Sequence, residues 1–109
     1  MASRPATLLL ALLVFPRAAS ARDLKAFFQE RCAVCHGADG SGRGQGGAPL
    51  GGRNLAEARW LVKQADDELA AAILRGRGAM PGFRRQLSEA EARRMVADVI
   101  RPLSVKKRP

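Results

Sequence analysis

Cys32-Ala33-Val34-Cys35-His36 narrows most sharply what this chain can become. Two thiols three positions apart on a helix share one face, and a histidine follows directly. The spacing suits addition of both thiols to the two vinyl groups of one haem. His36 then lies beneath the iron and can bind it through an imidazole nitrogen. Three other readings compete. A thioredoxin-like redox pair needs a βαβ context, and no strand-like alternation occurs in the chain. A zinc site wants four ligands, whereas the chain offers two cysteines and one histidine. A chance match is the third.

The compartment bears on this choice. Arg4 and the apolar run Ala6–Phe15 read as the basic and hydrophobic parts of a secretory leader, too short for a membrane span. Ala19-Ser20-Ala21 supplies a small-x-small cleavage pattern. Cleavage after Ala21 is expected, with residues 1–21 a signal peptide, 22–104 one domain and 105–109 a basic, disordered tail. Export places Cys32 and Cys35 in oxidising surroundings, where they need a disulfide, a metal or a covalent adduct.

Beyond the leader the periodicity is helical, and the predicted fold class is all-α. Leu24, Phe27, Phe28 and Cys32 fall on one face of a helix over about 23–35. Most of the chain's 11 glycines lie between Gly37 and Gly52, which reads as loop. A short helical piece is expected around Trp60. Asp66 is expected to cap the next helix, with Leu69, Ala70, Ile73 and Leu74 buried and Gly76 and Gly78 at its end. Ser88-Glu89-Ala90-Glu91 reads as a capping box before a last helix whose apolar stripe is Ala92, Met95, Val96, Val99 and Leu103, with Pro102 ending its regular part. Aromatic residues make up only 5% of the sequence and Tyr is absent, so three short helices supply a thin core. A large apolar cofactor in the middle resolves that shortage.

A haem iron bound by His36 has a second axial position. The candidates are Met80, Met95, a lysine, or no side chain at all. Met80 sits in Gly76-Arg77-Gly78-Ala79-Met80-Pro81-Gly82-Phe83, where glycines permit close approach to a ring and Pro81 fixes the chain direction. Met95 lies on the apolar stripe, where packing is the better account. Met80 is therefore the favoured ligand. A thioether raises the reduction potential, and filling both axial positions argues for electron transfer and against oxygen chemistry.

With these residues in hand, the chain resembles a small class I c-type cytochrome of the bacterial periplasm. The segments that carry the resemblance are Cys32-Ala-Val-Cys-His-Gly37, Ala48-Pro49-Leu50, Asp66-Asp67-Glu68-Leu69, Gly78-Ala79-Met80-Pro81-Gly82-Phe83 and Leu87-Ser88, in the family's order. The resemblance implies a cytochrome c-like fold of three main helices wrapped around one covalently attached haem c. It implies Cys32 and Cys35 as attachment points, His36 and Met80 as axial ligands, and first and last helices that cross. It also suggests that a backbone carbonyl near Pro49 accepts the imidazole N–H of His36. The family often places an aromatic residue on the last helix at that crossing; here Met95, Val96 and Val99 stand there, with Phe27 or Phe28 the expected partners. Tyr contacts to haem propionates are impossible in this chain, and Trp60, Arg53 and Asn54 are candidate replacements.

Charge completes the reading. The full chain carries a net +9, and loss of Arg4 and Arg17 with the leader still leaves a clear basic excess. Arg77, Arg84 and Arg85 flank Met80, so redox partners with acidic docking surfaces are expected, such as an oxidase, a reductase or a dehydrogenase. Nucleic acid is a poor fit: export removes the chain from it, and no basic helix with base-reading residues stands out. The expected function is a non-enzymatic carrier of single electrons between periplasmic or membrane redox partners. The alternative is a haem c subunit held in a periplasmic dehydrogenase complex.

Overall fold

The computed structural model describes residues 2–11 and 22–106. The expected cleavage point after Ala21 and residues 107–109 of the expected tail lie outside them. Residues 2–11 carry no regular secondary structure and are exposed, Leu8, Leu9 and Leu10 included.

The first helical stretch begins where Asp23 caps it, its side chain accepting from the Ala26 N–H at 3.0 Å. It runs as α1 (Leu24–Phe27), a π-helical turn (Phe28–Cys32) and α2 (Ala33–His36). The wide turn is marked by the Ala33 N–H donating to the Phe28 carbonyl, five residues back. Leu24, Phe27 and Phe28 are buried, as their spacing requires. The glycine loop follows, closed by an antiparallel bridge between Arg43 and Pro49. Among the described residues it and a second isolated bridge, Arg77 to Met80, are the only β-type pairings.

Next come α3 (Ala58–Leu61) and α4 (Asp66–Arg75). Ala65, not Asp66, is the N-cap of α4. The reason is a competing partner: the Asp66 carboxylate is taken by the Arg101 guanidinium, with Nε at 2.9 Å and Nη2 at 2.6 Å. Ala70 and Ile73 are buried on α4, Leu69 and Leu74 half-buried. Gly76 alone ends the helix, at φ +79°, a conformation that an L side chain resists.

α5 (Glu89–Met95) opens with the expected capping box. Ser88 Oγ accepts from the Glu91 N–H and Glu91 Oε1 accepts from the Ser88 N–H, both at 3.0 Å. A second π-helical turn (Val96–Ile100) continues it, and after Pro102 the backbone makes one more turn, α6 (Leu103–Lys106). The core lies where α1 meets this last stretch. Phe28, Met95 and Val96 are its largest fully buried side chains, and Ile100, outside the expected stripe, is buried with them. Phe27 instead meets Phe83 edge-on, with ring centroids 5.5 Å apart and planes at 84°.

Arg101 ties the end of this stretch to the chain's middle. Besides Asp66, it donates to the Leu61 carbonyl at 2.5 Å and the Gln64 carbonyl at 2.6 Å, so one guanidinium holds the end of α3 and the start of α4.

Candidate cofactor site

The end of the first helical stretch delivers Cys32, Cys35 and His36 together. Both thiols are free; Cys32 is half-buried against the core and Cys35 is exposed. Burial pushes the Cys32 thiol up to about 11, because a thiolate loses more solvation there than a thiol does. Among the described residues no three His, Cys, Asp or Glu side chains converge on a point where a bare metal ion would sit.

His36 is held by one clear contact: its Nδ1 lies 2.9 Å from the Arg53 carbonyl oxygen. A carbonyl only accepts, so Nδ1 carries the proton, and Nε2 is left with a lone pair for a metal. The acceptor comes four residues beyond Pro49, the region the family resemblance suggested. Pro49 lies opposite Arg43 across the glycine loop, where Leu50 donates to the Gly42 carbonyl and Gly44 to the Ala48 carbonyl, and the chain beyond it returns to the helix end at Gly52. There the Gly52 N–H donates to the Cys35 carbonyl at 2.9 Å, and a Cβ on residue 52 would stand 2.4 Å from that oxygen. Only glycine admits this approach. Close by, the Gly42 N–H donates to the His36 carbonyl at 2.6 Å, so the loop clamps the helix end from two sides.

Met80 arrives on a separate element. Its backbone forms a tight reverse turn with Arg77, N–H to carbonyl in both directions at 2.9 and 3.0 Å. The chain then folds back along α4, with the Phe83 N–H donating to the Ile73 carbonyl at 2.9 Å. A Cβ on Gly76 would meet the Met80 carbonyl oxygen at 2.6 Å, so this turn also depends on glycine. The Met80 side chain is half-buried at the margin of the core, as are Trp60, Leu69 and Leu74. Met95, by contrast, is 1% exposed and serves packing. Asn54 is engaged locally, its side chain accepting from the Ala56 N–H at 2.9 Å, and the Arg53 guanidinium lies over the Trp60 ring at 4.4 Å.

This set of groups fits haem c. One imidazole offers its Nε2, two reduced thiols sit one helical turn apart, and a thioether stands among apolar side chains only half-covered by protein. Around them the charge is one-sided. Arg75, Arg77, Arg84 and Arg85 are exposed and form no ion pair among the described residues, and no Asp or Glu occurs from Leu69 to Ser88. Three of them line a shallow groove of about 600 Å³ together with Leu74, Gly82 and Gln86.

Comparison with known proteins identifies the family and the fold. The family described as cytochrome c oxidase, cbb3-type, subunit III matches residues 19–97, well over half of the chain. The cbb3-type cytochrome c oxidase subunit CcoP of Cereibacter sphaeroides is 37% identical over 67 residues, which are 61% of this chain and 22% of that protein. Subunit FixPc of Rhizobium leguminosarum bv. viciae is 31% identical over 72 residues, 65% of this chain and 24% of that protein. The match thus spans about a quarter or less of these curated relatives. Among solved structures, the KustC0563 c-type cytochrome superposes with a TM-score of 0.58 at 26% identity, over 80% of this chain and all of that one. The c-type cytochrome NirC, at 23% identity, shares the fold with a TM-score of 0.58, over 84% of this chain and 96% of that one. Among the described residues no helix is long and apolar enough to cross a membrane. With helices clasping a glycine loop, a C-x-x-C-H helix end and this match, the chain belongs to the cbb3-type cytochrome c oxidase subunit III family and has the all-α fold of a small class I c-type cytochrome.

Proposed function

We propose that this chain is a monohaem c-type cytochrome that passes single electrons between redox partners in the periplasm. Cys32 and Cys35 would hold the group through thioethers, made by adding their S–H bonds across its two vinyl groups, which needs reduced thiols and no external oxidant. His36 Nε2 and Met80 Sδ would hold its iron. Bound in this way, the group supplies a one-electron iron couple, raised in potential by the thioether. The chain's own residues do the rest: Arg53 orients His36, the Arg77–Met80 turn presents the thioether, and Trp60, Leu69 and Leu74 supply half-buried apolar surface that a ring would cover. With two side chains holding the iron, the domain would relay electrons and not itself be an enzyme.

The observation that carries this reading is the His36 Nδ1 contact to the Arg53 carbonyl at 2.9 Å. It fixes the tautomer that leaves Nε2 for iron and makes the ring a better donor. The residues before Arg22 read as an export leader, and the arginines around Met80 suit an acidic partner surface, steering encounter more than tightening it. Because the matched relatives are oxidase subunits, a terminal oxidase is the favoured electron acceptor. The dehydrogenase-subunit alternative has no comparable support.

Replacing Met80 by Ala tests the axial assignment. The reduction potential should fall by on the order of 0.1 V or more, within the roughly 0.8 V that axial ligation spans, and added imidazole should then bind. An unchanged potential would assign the position to another side chain.

A further inference from the structure

The loop from Gly37 to Gly52 has little stiffness of its own, because glycine gives the backbone wide freedom. Yet the carbonyl that receives His36 stands just beyond its last glycine. The peptide around Arg53 is pinned on both sides: Gly52 by its bond to the Cys35 carbonyl at 2.9 Å, and Leu55 by donation to the Gly40 carbonyl at 2.6 Å. Between these pins the Arg53 side chain spans seven residues to lie over Trp60, 4.4 Å from the ring centroid. Trp60 belongs to α3, is half-buried against the core, and is followed by buried Leu61, whose carbonyl Arg101 holds. An exposed arginine is thus fastened to a helix that is itself fastened to the end of the fold.

We propose that the Arg53–Trp60 stack is a positioning device for the proximal imidazole. By holding residue 53 against α3, it keeps the Arg53 carbonyl on the Nδ1–H of His36 and so sets how electron-rich Nε2 is. The proposal rests on the reading of His36 as an iron ligand. It makes Arg53 a positioning residue that acts through its backbone, and it makes Trp60 necessary to the same effect although Trp60 makes no hydrogen bond to the histidine.

The test compares the full-length haem-loaded protein with Arg53→Leu, Trp60→Leu, the double variant and Arg53→Lys. Two quantities are read: solvent exchange of the His36 Nδ1 proton by NMR, and the reduction potential. Each single leucine variant should speed exchange about fivefold, the factor expected for loss of a surface cation–π contact. Each should also shift the electron-exchange equilibrium about threefold toward the reduced protein, ~30 mV upward at 59 mV per tenfold for one electron, because a less firmly bound N–H makes a weaker donor. The double variant should add little to either single one, and Arg53→Lys should restore most of the wild-type behaviour. A potential that falls in Arg53→Leu and is unchanged in Trp60→Leu would overturn the proposal, since Arg53 would then act by its charge. Unchanged exchange in Arg53→Leu would overturn it too, and that variant, altered at an exposed side chain, decides the matter even if Trp60→Leu does not fold. Absence of an iron-bound His36 in the wild type would overturn both this proposal and the ligand reading beneath it; a normal wild type with unaffected variants would overturn this proposal alone.

Discussion

The helix crossing and the loop face of this molecule are built on different principles. At the crossing, Phe28, Met95, Val96 and Ala92 shut out water with at most 1% exposure, and the charges around it are matched: Arg22 to Glu91 at 3.1 Å, Arg93 to Asp67 at 2.5 Å and to Glu89 at 3.2 Å. On the loop face, Trp60, Leu74 and Met80 stay half-buried, position is set by backbone hydrogen bonds and glycine contacts, and four arginines stand without carboxylates. The crossing is complete as protein. The loop face is half-covered, apolar inside and basic outside, and on the proposed function it is a frame for a ring and a partner. Side chains alone give so small a domain little buried surface, so its stability is tied to what that frame holds.

The sharpest way to break this contrast is to replace Cys32, Cys35 and His36 together by Ala. Expected is loss of bound haem and of cooperative thermal unfolding followed by circular dichroism. A sharp, cooperative melt of the colourless variant would show that the crossing folds without its frame. Next in size is Phe28→Ala, which should cost about 3–5 kcal/mol in urea unfolding, because it leaves a void in a fully buried cluster. A cost below about 1 kcal/mol would mean that the crossing is less well packed than its burial indicates.

The loop face can be probed with a small anion in place of a partner. Reversing Arg84 and Arg85 to Glu should slow oxidation of the reduced protein by hexacyanoferrate(III) about tenfold at low ionic strength, with the difference shrinking as salt is added. A rate that ignores both substitutions would place these arginines away from the electron's exit. The smallest effect belongs to the capping box. The backbone N–H of Ser88 holds the Glu91 carboxyl below its ordinary value, helped by the Ser88 hydroxyl and by Arg22 and Arg94. A depressed carboxyl stabilises the fold above its unfolded value, and that contribution is lost as pH falls through the folded value. Glu91→Gln should therefore flatten the acid end of the stability profile and leave the dependence near neutrality unchanged.

Much of the frame was legible in the sequence because its determinants are local. The Cys32–His36 spacing, the Ser88–Glu91 box and the apolar stripe through Met95 each act within a few residues, and each element forms where those residues place it. What escaped was set at long range. Arg101 reaches back 35 residues to Asp66 and 40 to Leu61, which moved the cap of α4 to Ala65, and no periodicity marks such a residue. The carbonyl that orients His36 is that of Arg53, four residues beyond Pro49, because the glycine loop closes on itself before it returns to the helix. Loops rich in glycine encode their path in contacts they make after folding, and a linear reading sees only that they bend.

The most direct test is the visible spectrum of the full chain produced alongside a c-type maturation apparatus, with the same sample run on a denaturing gel and stained for haem. The expected result is the sharp reduced bands of a low-spin haem and a stain that stays with the polypeptide after denaturation. A colourless protein whose Cys32 and Cys35 remain free to react with a thiol reagent would contradict the reading of His36, Met80 and the two thiols as one cofactor site.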